Sequence, residues 1–400
     1  MPRALVIGGS VGGLFAACLF REIGWDVAVF EKTAGDLSGR GAGLGLSHEL
    51  FQVLRRVGAE VLPSSGVPVS SLLWLARDGR MMERIPRPWL TGAWSRIYRS
   101  LRDAVPDAIV QPGRTFERVE QGERGVIAHF ADGGREAGDL LVGADGVHST
   151  VRHQYLPEIA PHYAGYIAWR GVIEESELTP AEHELLSDCI VFAFPPGEMS
   201  LSMPIPGRDD DVRPGHRRYY FIWYRPADMG ALGALLTDEA GRTHELAIPP
   251  PLIRAEAIAA MRADAASLLP AVVAGIVART RQPLLQAITD LEVPRMVFGR
   301  AALIGDAAFI ARPHVAAGIT KAALDIVALV EGLAATPGDI PGALARFEGE
   351  RRAFGQALVD YSRMLGAASL AAEASRDPAD VMRRYGAPHL LRDSDRSALA

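Results

Sequence analysis

Hydrophobic positions at the start of the chain fall into two kinds of run. Ala4-Leu5-Val6-Ile7 is short and unbroken, the pattern of a buried parallel strand; Leu14 to Ile23 is long enough for a helix and is closed by Gly24; Trp25 to Phe30 reads as a second strand. The strand pattern returns at Leu140-Leu141-Val142 and at Ala301-Ala302-Leu303-Ile304. A helix is predicted from about Ala317 through Gly332, with Ile319, Ala323, Ile326, Val327 and Val330 at helical spacing. Between these runs lie segments such as Arg218-Tyr219-Tyr220-Phe221-Ile222-Trp223-Tyr224, rich in sheet-forming residues. Pro249-Pro250-Pro251 marks a loop, Ala343 to about Leu370 a helix packed across the outside, and the residues from about 386 onward a frayed end.

Three of these strands end in glycine turns. The first is Gly8-Gly9-Ser10-Val11-Gly12-Gly13. In such a strand–turn–helix, backbone N–H groups and the helix N-terminus face a dinucleotide's pyrophosphate, while an acid ending the second strand binds ribose hydroxyls. Glu31 stands there, 23 residues after Gly8, with Lys32 beside it. Gly8, Ser10, Val11 and Gly13 are the candidate contacts. Ser10 replaces the usual middle glycine; its side chain crowds the phosphate approach unless its hydroxyl donates to that phosphate. Taken alone, the motif also fits an ordinary glycine-rich turn. The second turn is Gly143-Ala144-Asp145-Gly146, and the third is Gly305-Asp306, followed by Arg312-Pro313-His314-Val315-Ala316-Ala317-Gly318.

Composition narrows the class. With 400 residues, two or three domains and a sizeable core are expected. A net charge of −6 offers no basic footprint for nucleic acid or an anionic membrane. No apolar run reaches the roughly 18 residues of a membrane span, and the interrupted, singly charged N-terminus does not read as a secretory signal. A cytoplasmic protein is expected. Cys18 and Cys189 are the only cysteines; they are far apart, which excludes a paired-cysteine disulfide reductase and a cysteine-rich metal site and predicts two inert buried thiols. No metal ligand set is read from the sequence.

With three such turns in this order, the chain resembles the aromatic-ring flavoprotein monooxygenases, the single-component FAD hydroxylases, over almost its whole length. The stretch from Leu140 to Arg152 fits that family's central Asp-Gly segment. Arg312-Pro313-His314 with Ala316-Ala317-Gly318, and Tyr163-Ala164-Gly165-Tyr166-Ile167-Ala168-Trp169-Arg170-Gly171, look like its dihydroxypyridine branch. The resemblance implies an α/β fold: a Rossmann-like FAD-binding domain of the glutathione-reductase type, an inserted β-sheet substrate domain and C-terminal helices. The FAD domain is expected over 1–68, 97–160 and 294–335, the substrate domain over 69–96 and 161–293, and a helical region over 336–400. The resemblance further implies non-covalent FAD, NADH or NADPH, and O2. The substrate would be a small electron-rich aromatic or N-heteroaromatic ring, hydroxypyridine-like, hydroxylated through a flavin C4a-hydroperoxide. A homodimer is left open.

Residue roles follow from the same resemblance. Asp306 would bind the ribitol hydroxyls, and the Asp145 segment would shape the place where FAD and the nicotinamide donor meet. Ala316, Ala317, Gly318 and Ile319 would set a helix N-terminus, about half a positive charge, at the flavin pyrimidine edge. Arg40 would contact FAD or the donor, or stand as a solvated loop charge. Tyr98 replaces a family arginine, with Arg96 or Arg99 compensating. Phe309, Ala316 and Thr320 depart from the usual histidine, glycine and asparagine. For the ring, Tyr166, Trp169 and Trp223 are wall candidates or plain core, and Arg170 pairs with a substrate anion or a surface carboxylate. His314, His48 and Pro313 are the catalytic candidates, because a histidine titrating near neutrality suits deprotonation of a phenol. The other classes considered are a flavin dehydrogenase or reductase without oxygen insertion, and a non-enzymatic flavin-binding sensor.

Overall fold

The strand runs assemble into two large sheets and one small one in the computed structural model, which describes residues 1–37, 43–59 and 66–386. The first sheet has the order Val297–Phe298, Ala301–Leu303, Leu140–Gly143, Arg3–Ile7, Asp26–Glu31, Val110–Pro112. All neighbours are parallel except the antiparallel edge strand Val297–Phe298. Its central strands are buried on both faces, which explains why they read as continuous apolar runs rather than alternations. The first and second glycine turns abut at its end. Gly8 has φ +107°, and a Cβ there would lie 2.4 Å from the Ala144 carbonyl oxygen; a Cβ on Gly13 would lie 1.8 Å from the Gly8 oxygen. Glycine is required at both positions. A three-stranded meander, Phe116–Gln121, Val126–Phe130 and Arg135–Gly138, accompanies this sheet.

The second sheet has nine strands in the order Phe309–Ile310, Leu284–Glu292, His162–Glu174, Arg218–Pro226, Met199–Ile205, Cys189–Ala193, Val67–Leu75, Met81–Ala93, Gly43–Leu46. One face packs on the helices Ala255–Leu268 and Ala271–Arg279. The other meets the first sheet's turns and the C-terminal segment around Val381 to Tyr385. The division drawn from the sequence needs correcting at two points. Gly43–Leu46, grouped with the first 68 residues, pairs antiparallel with Met81–Ala93 at the edge of the nine-stranded sheet. Phe309–Ile310, grouped with 294–335, forms that sheet's other edge. Both strands are too short for periodicity to report which sheet they join. The chain thus crosses between the sheets more often than the motifs suggest.

The helix Gly318–Ala335 packs against Val11–Glu22 and against the 30-residue helix Ile340–Ser369. One buried ion pair pins this layer: Asp325 accepts from Arg351 Nε at 2.9 Å, with both side chains at most 4% exposed. The second Asp325 oxygen accepts the Gly305 N–H at 2.9 Å, so the same carboxylate fixes the third glycine turn. No described helix is long and apolar enough to cross a membrane.

Removing one member of a buried pair leaves the other charge uncompensated, whereas replacing both with apolar residues is far milder. Asp325→Ala is therefore expected to lose about 3–5 kcal/mol of unfolding free energy in urea, and Asp325→Leu/Arg351→Met to recover more than half of that. A loss below about 1 kcal/mol would show that the pair does not anchor the turn.

Candidate active site

A cavity of about 450 Å³ lies where the turns of the first sheet face the second. Ser10, Val11, Gly12, Ala144, Gly146 and Asp306 line one side, and Pro313 with Ala316–Ile319 continues it. The wall supplied by the nine-stranded sheet includes Arg170, Leu201, Met203, Tyr220, Ile222 and Tyr224, and Tyr385 closes it from the C-terminal segment.

The dinucleotide elements are locally organised. Glu31 accepts the Gly9 N–H on Oε2 and the Thr33 N–H on Oε1, each at 2.8 Å, which fixes the carboxylate at the strand end. Ser10 is the N-cap of Val11–Glu22 but makes no side-chain cap bond, so its hydroxyl and the first helical N–H groups are left for a ligand. Gly8 and Gly13 shape this turn rather than line the cavity, and Lys32 is exposed beyond Glu31. Asp306 is 44% exposed on the cavity side; Lys321 Nζ, almost fully buried, lies 3.1 Å from its Oδ1 and also donates to the Phe309 carbonyl. Ala316 sits in the left-handed region, φ +50° and ψ +31°, immediately before the uncapped N-terminus of Gly318–Ala335. For an alanine that conformation costs roughly 1–2 kcal/mol, strain that the family's usual glycine would avoid.

Two cofactor assignments change. The Asp145 carboxylate is not in the cavity lining; it accepts from Ser149 Oγ at 2.5 Å and Val151 N at 3.1 Å, at the start of the helix Thr150–Tyr155 that Ser149 caps. Burial raises its pKa against those hydrogen bonds, and its neighbours Ala144, Gly146 and Val147 line the cavity instead. Tyr98 is buried, stacked on Trp94 with ring centroids 5.2 Å apart, and it is Trp94 that reaches the cavity. Arg40 lies outside the described residues.

Strand pleating decides the substrate wall. His162–Glu174 and Arg218–Pro226 pair with Trp169 opposite Trp223 and Arg170 opposite Ile222. Successive residues point to opposite faces. Trp169 and Trp223 therefore belong to the core under the helices, which corrects their assignment to the ring site. Arg170, Tyr220, Ile222 and Tyr224 take the cavity face. Tyr166 shares that face but is buried beside the cavity, not in its lining. Tyr220, Tyr224, Trp94 and Tyr385 were missed; parity counted from Arg170 would have found the first two.

These elements fit FAD: an uncapped helix N-terminus after a glycine turn, an acid fixed at the second strand end, and a half-exposed aspartate on the way to a second uncapped helix. A family model described as FAD binding domain-like matches residues 163–290. The chain is 31% identical over 388 residues to the 2,6-dihydroxypyridine 3-monooxygenase of Paenarthrobacter nicotinovorans, covering 96% of each protein. It is 28% identical over 340 residues to the 6-hydroxynicotinate 3-monooxygenase of Pseudomonas fluorescens, covering 81% of this chain and 80% of that protein. The structure of 2,6-dihydroxypyridine-3-hydroxylase from Arthrobacter nicotinovorans superimposes with a TM-score of 0.88 at 30% identity, over 95% of this chain and 96% of that one. This chain belongs to the FAD-dependent aromatic-ring hydroxylases. The hydroxylase uses FAD, with NAD(P)H as reductant, and inserts oxygen, which displaces the dehydrogenase and sensor readings.

Neither histidine candidate of this hydroxylase lines the cavity. His314 is fully buried within the turn Pro313–Val315, its Nε2 2.9 Å from Tyr166 Oη, its ring 4.2 Å from that of Tyr224, and its Nδ1 without a partner. Burial, then the charges of Arg312 and Arg170, push its pKa from 6.5 down to about 3. So weak a base does not take a phenol's proton. His48 is exposed at the first turn of His48–Arg56, 3.0 Å from Gln52, and does not line the cavity. Of the three catalytic candidates only Pro313 lines it.

His314 stays neutral in the folded state while its unfolded counterpart protonates near 6.5. The unfolded chain then binds the extra proton, so stability falls as pH drops from about 6.5 toward 3, by about 1.4 kcal/mol per unit from this group. His314→Gln is expected to flatten that part of the slope in urea unfolding measured across this range. Parallel profiles for the two proteins would refute the neutral assignment.

Proposed function

We propose that this hydroxylase acts on a single-ring hydroxypyridine-like oxyanion, with Arg170 as its charge partner, Tyr220 and Tyr224 as neutral wall residues, and Pro313 and the Gly318 helix end on the flavin side. The observation that carries this is Arg170 itself: it lines the cavity and its buried Nε has no hydrogen-bond partner, as is also true of Tyr224 Oη. Buried donors without partners are costly, and an oxyanion seated between them removes that cost. Asp306 is the only carboxylate among the described lining residues, and no histidine is among them. A guanidinium in such a place lowers the pKa of a bound ring hydroxyl, so the ring is held as the electron-rich anion without a dedicated base.

Bound there, FAD would supply the two-electron chemistry by which NAD(P)H reduces O2, one oxygen atom going to the ring and the other leaving as water. The protein's contribution is placement. Ile190, Leu201, Met203 and Ile222 keep water from the ring, the Gly318 helix end stabilises negative charge on the flavin side, and Ser10 and Asp306 in the lining, with Glu31 at the strand end, hold the cofactor's polar groups. We assign the six-stranded sheet to FAD and the nine-stranded sheet to the substrate. Cys18 and Cys189 are free thiols whose pKa burial raises, to about 11 and about 12, in keeping with a cytoplasmic setting.

The test is substrate-stimulated NAD(P)H oxidation by FAD-loaded protein over a panel of hydroxypyridines, hydroxybenzoates and phenols, with product masses. One hydroxypyridine is expected to stimulate turnover and gain one oxygen atom. Arg170→Gln is expected to raise its KM about 10- to 100-fold, in line with ~1.5–3 kcal/mol for a charged hydrogen bond, with unchanged FAD affinity. An unchanged KM would remove Arg170 from the site, and stimulation confined to neutral rings would remove the oxyanion.

A further inference from the structure

Among the described residues that line the cavity between the sheets, Gln286 alone carries a side-chain amide. It stands half-buried on the strand Leu284–Glu292, between Leu285 and Ala287. Those two neighbours belong to the core under the helices, so pleating turns Gln286 to the cavity face. Its amide makes no hydrogen bond among the described residues. The pairing register sets it beside the groups already assigned to the substrate. Ala168 pairs with Gln286 on one side and with Tyr224 on the other, so these two side chains flank one strand, roughly 10 Å apart at Cα. Arg170, two residues on from Ala168, is diagonal to both, roughly 7–8 Å away and within reach of long side chains. A single ring whose oxyanion meets Arg170 thus has an adjacent edge within reach of Gln286.

What that edge must look like follows from the amide. A glutamine offers an N–H donor and a carbonyl acceptor side by side in one plane. A phenol presents a hydroxyl beside a ring C–H and leaves one half of the amide unmatched. A ring with a hydroxyl next to its nitrogen takes a lactam form, in which C=O stands beside N–H, and this edge complements both halves at once, as a glutamine complements the donor and acceptor of adenine. A polar group left without its partner in a closed site is costly, so a site built on such a pair rejects the analogue that lacks it.

We propose that Gln286 is a specificity-determining residue that pairs with the lactam N–H and C=O of a nitrogen heteroaromatic ring, beside the oxyanion held by Arg170, and so rejects the carbocyclic counterpart. This rests on the oxyanion reading of Arg170 but is tested separately from it. The probes are 6-hydroxy-2-pyridone and resorcinol, which share a substitution pattern and differ at the ring nitrogen. Each is titrated into the FAD-loaded full chain, and the dissociation constant is read from the perturbation of flavin absorption, without turnover. The unsubstituted protein is expected to favour the pyridone. Gln286→Leu is expected to cut that preference about tenfold by weakening the pyridone, with resorcinol binding within about twofold and FAD affinity unchanged. Gln286→Met, which keeps the length of the side chain and removes the amide, should do the same, so the test does not depend on one variant folding. A preference unchanged in both variants would overturn the proposal. So would equal weakening of the two rings, which would make Gln286 a packing residue, or a loss of FAD affinity with the preference intact, which would make it a cofactor contact. Failure of the oxyanion reading would show separately, as Arg170→Gln leaving both dissociation constants unchanged while the Gln286 variants still shift their ratio.

Discussion

A single buried carboxylate holds the two sides of the cavity in register. Asp290, 1% exposed on the strand Leu284–Glu292, accepts Arg312 Nε at 2.8 Å and Nη2 at 2.7 Å from the flavin loop, and Arg363 Nη2 at 2.8 Å from the helix Ile340–Ser369. The nine-stranded sheet, the loop that presents Pro313 and Gly318, and the C-terminal helix therefore meet at one point. Burial alone would raise this carboxyl's pKa; the hydrogen bonds and charges of Arg363 and Arg312 overcome that and hold it below the ordinary range. A buried ion pair offsets its desolvation only when the geometry is good and every oxygen is used. Both Asp290 oxygens are used. Acid that protonates Asp290 withdraws this contribution, so the loop's anchoring belongs to the pH range above the depressed pKa.

With the loop fixed this way, the strain at Ala316 becomes intelligible. A left-handed alanine persists only where its surroundings over-determine it. On one side Arg312 is tied to Asp290 and, through its N–H, to Ser362 Oγ at 3.0 Å. On the other, Lys321 N–H bonds the Ala317 carbonyl at 2.8 Å, and the Lys321 side chain joins Asp306. The turn between them takes the one conformation that brings the helix end to the cavity. Asp325 extends the same logic to Gly305, so the turn carrying Asp306 is tied by a hydrogen bond to the helix Gly318–Ala335.

What the sequence made legible was local. Strand, glycine turn and helix are written in neighbouring residues, and the positions of Ser10, Glu31 and Asp306 at the strand ends could be read from them. The errors came where a side chain's role depends on what covers it. Trp169 and Trp223 were weighed as aromatics, although sheet parity relative to Arg170 puts them on the far face. His314 was read from its place beside Pro313. Its depressed pKa comes first from burial, among groups that include Tyr166 and Tyr224, and then from the Arg312 and Arg170 charges, brought together from distant parts of the chain. Asp145 lay in a motif that does reach the cavity, but Ser149 and Val151, four and six residues on, capture its carboxylate. Tyr385 enters the site because Arg87 holds its carbonyl at 2.8 Å and His314's carbonyl accepts the Gly386 N–H at 3.1 Å, contacts that no periodicity encodes.

The cavity's protonation pattern then constrains its chemistry. Burial raises the hydroxyl pKa values of Tyr220, Tyr224 and Tyr385, most strongly at Tyr224 and Tyr385, so these groups are protonated near neutral pH. Protonated tyrosines donate hydrogen bonds to an oxyanion and do not compete with it for Arg170. A neutral ring would leave the guanidinium's charge unmatched in an apolar cavity, whereas a ring anion is matched by it and by the partial charge of the Gly318 helix end. On the proposed reading, the arrangement that selects an anion also makes the ring carbon more nucleophilic, so that substrate choice and activation become one electrostatic property rather than two.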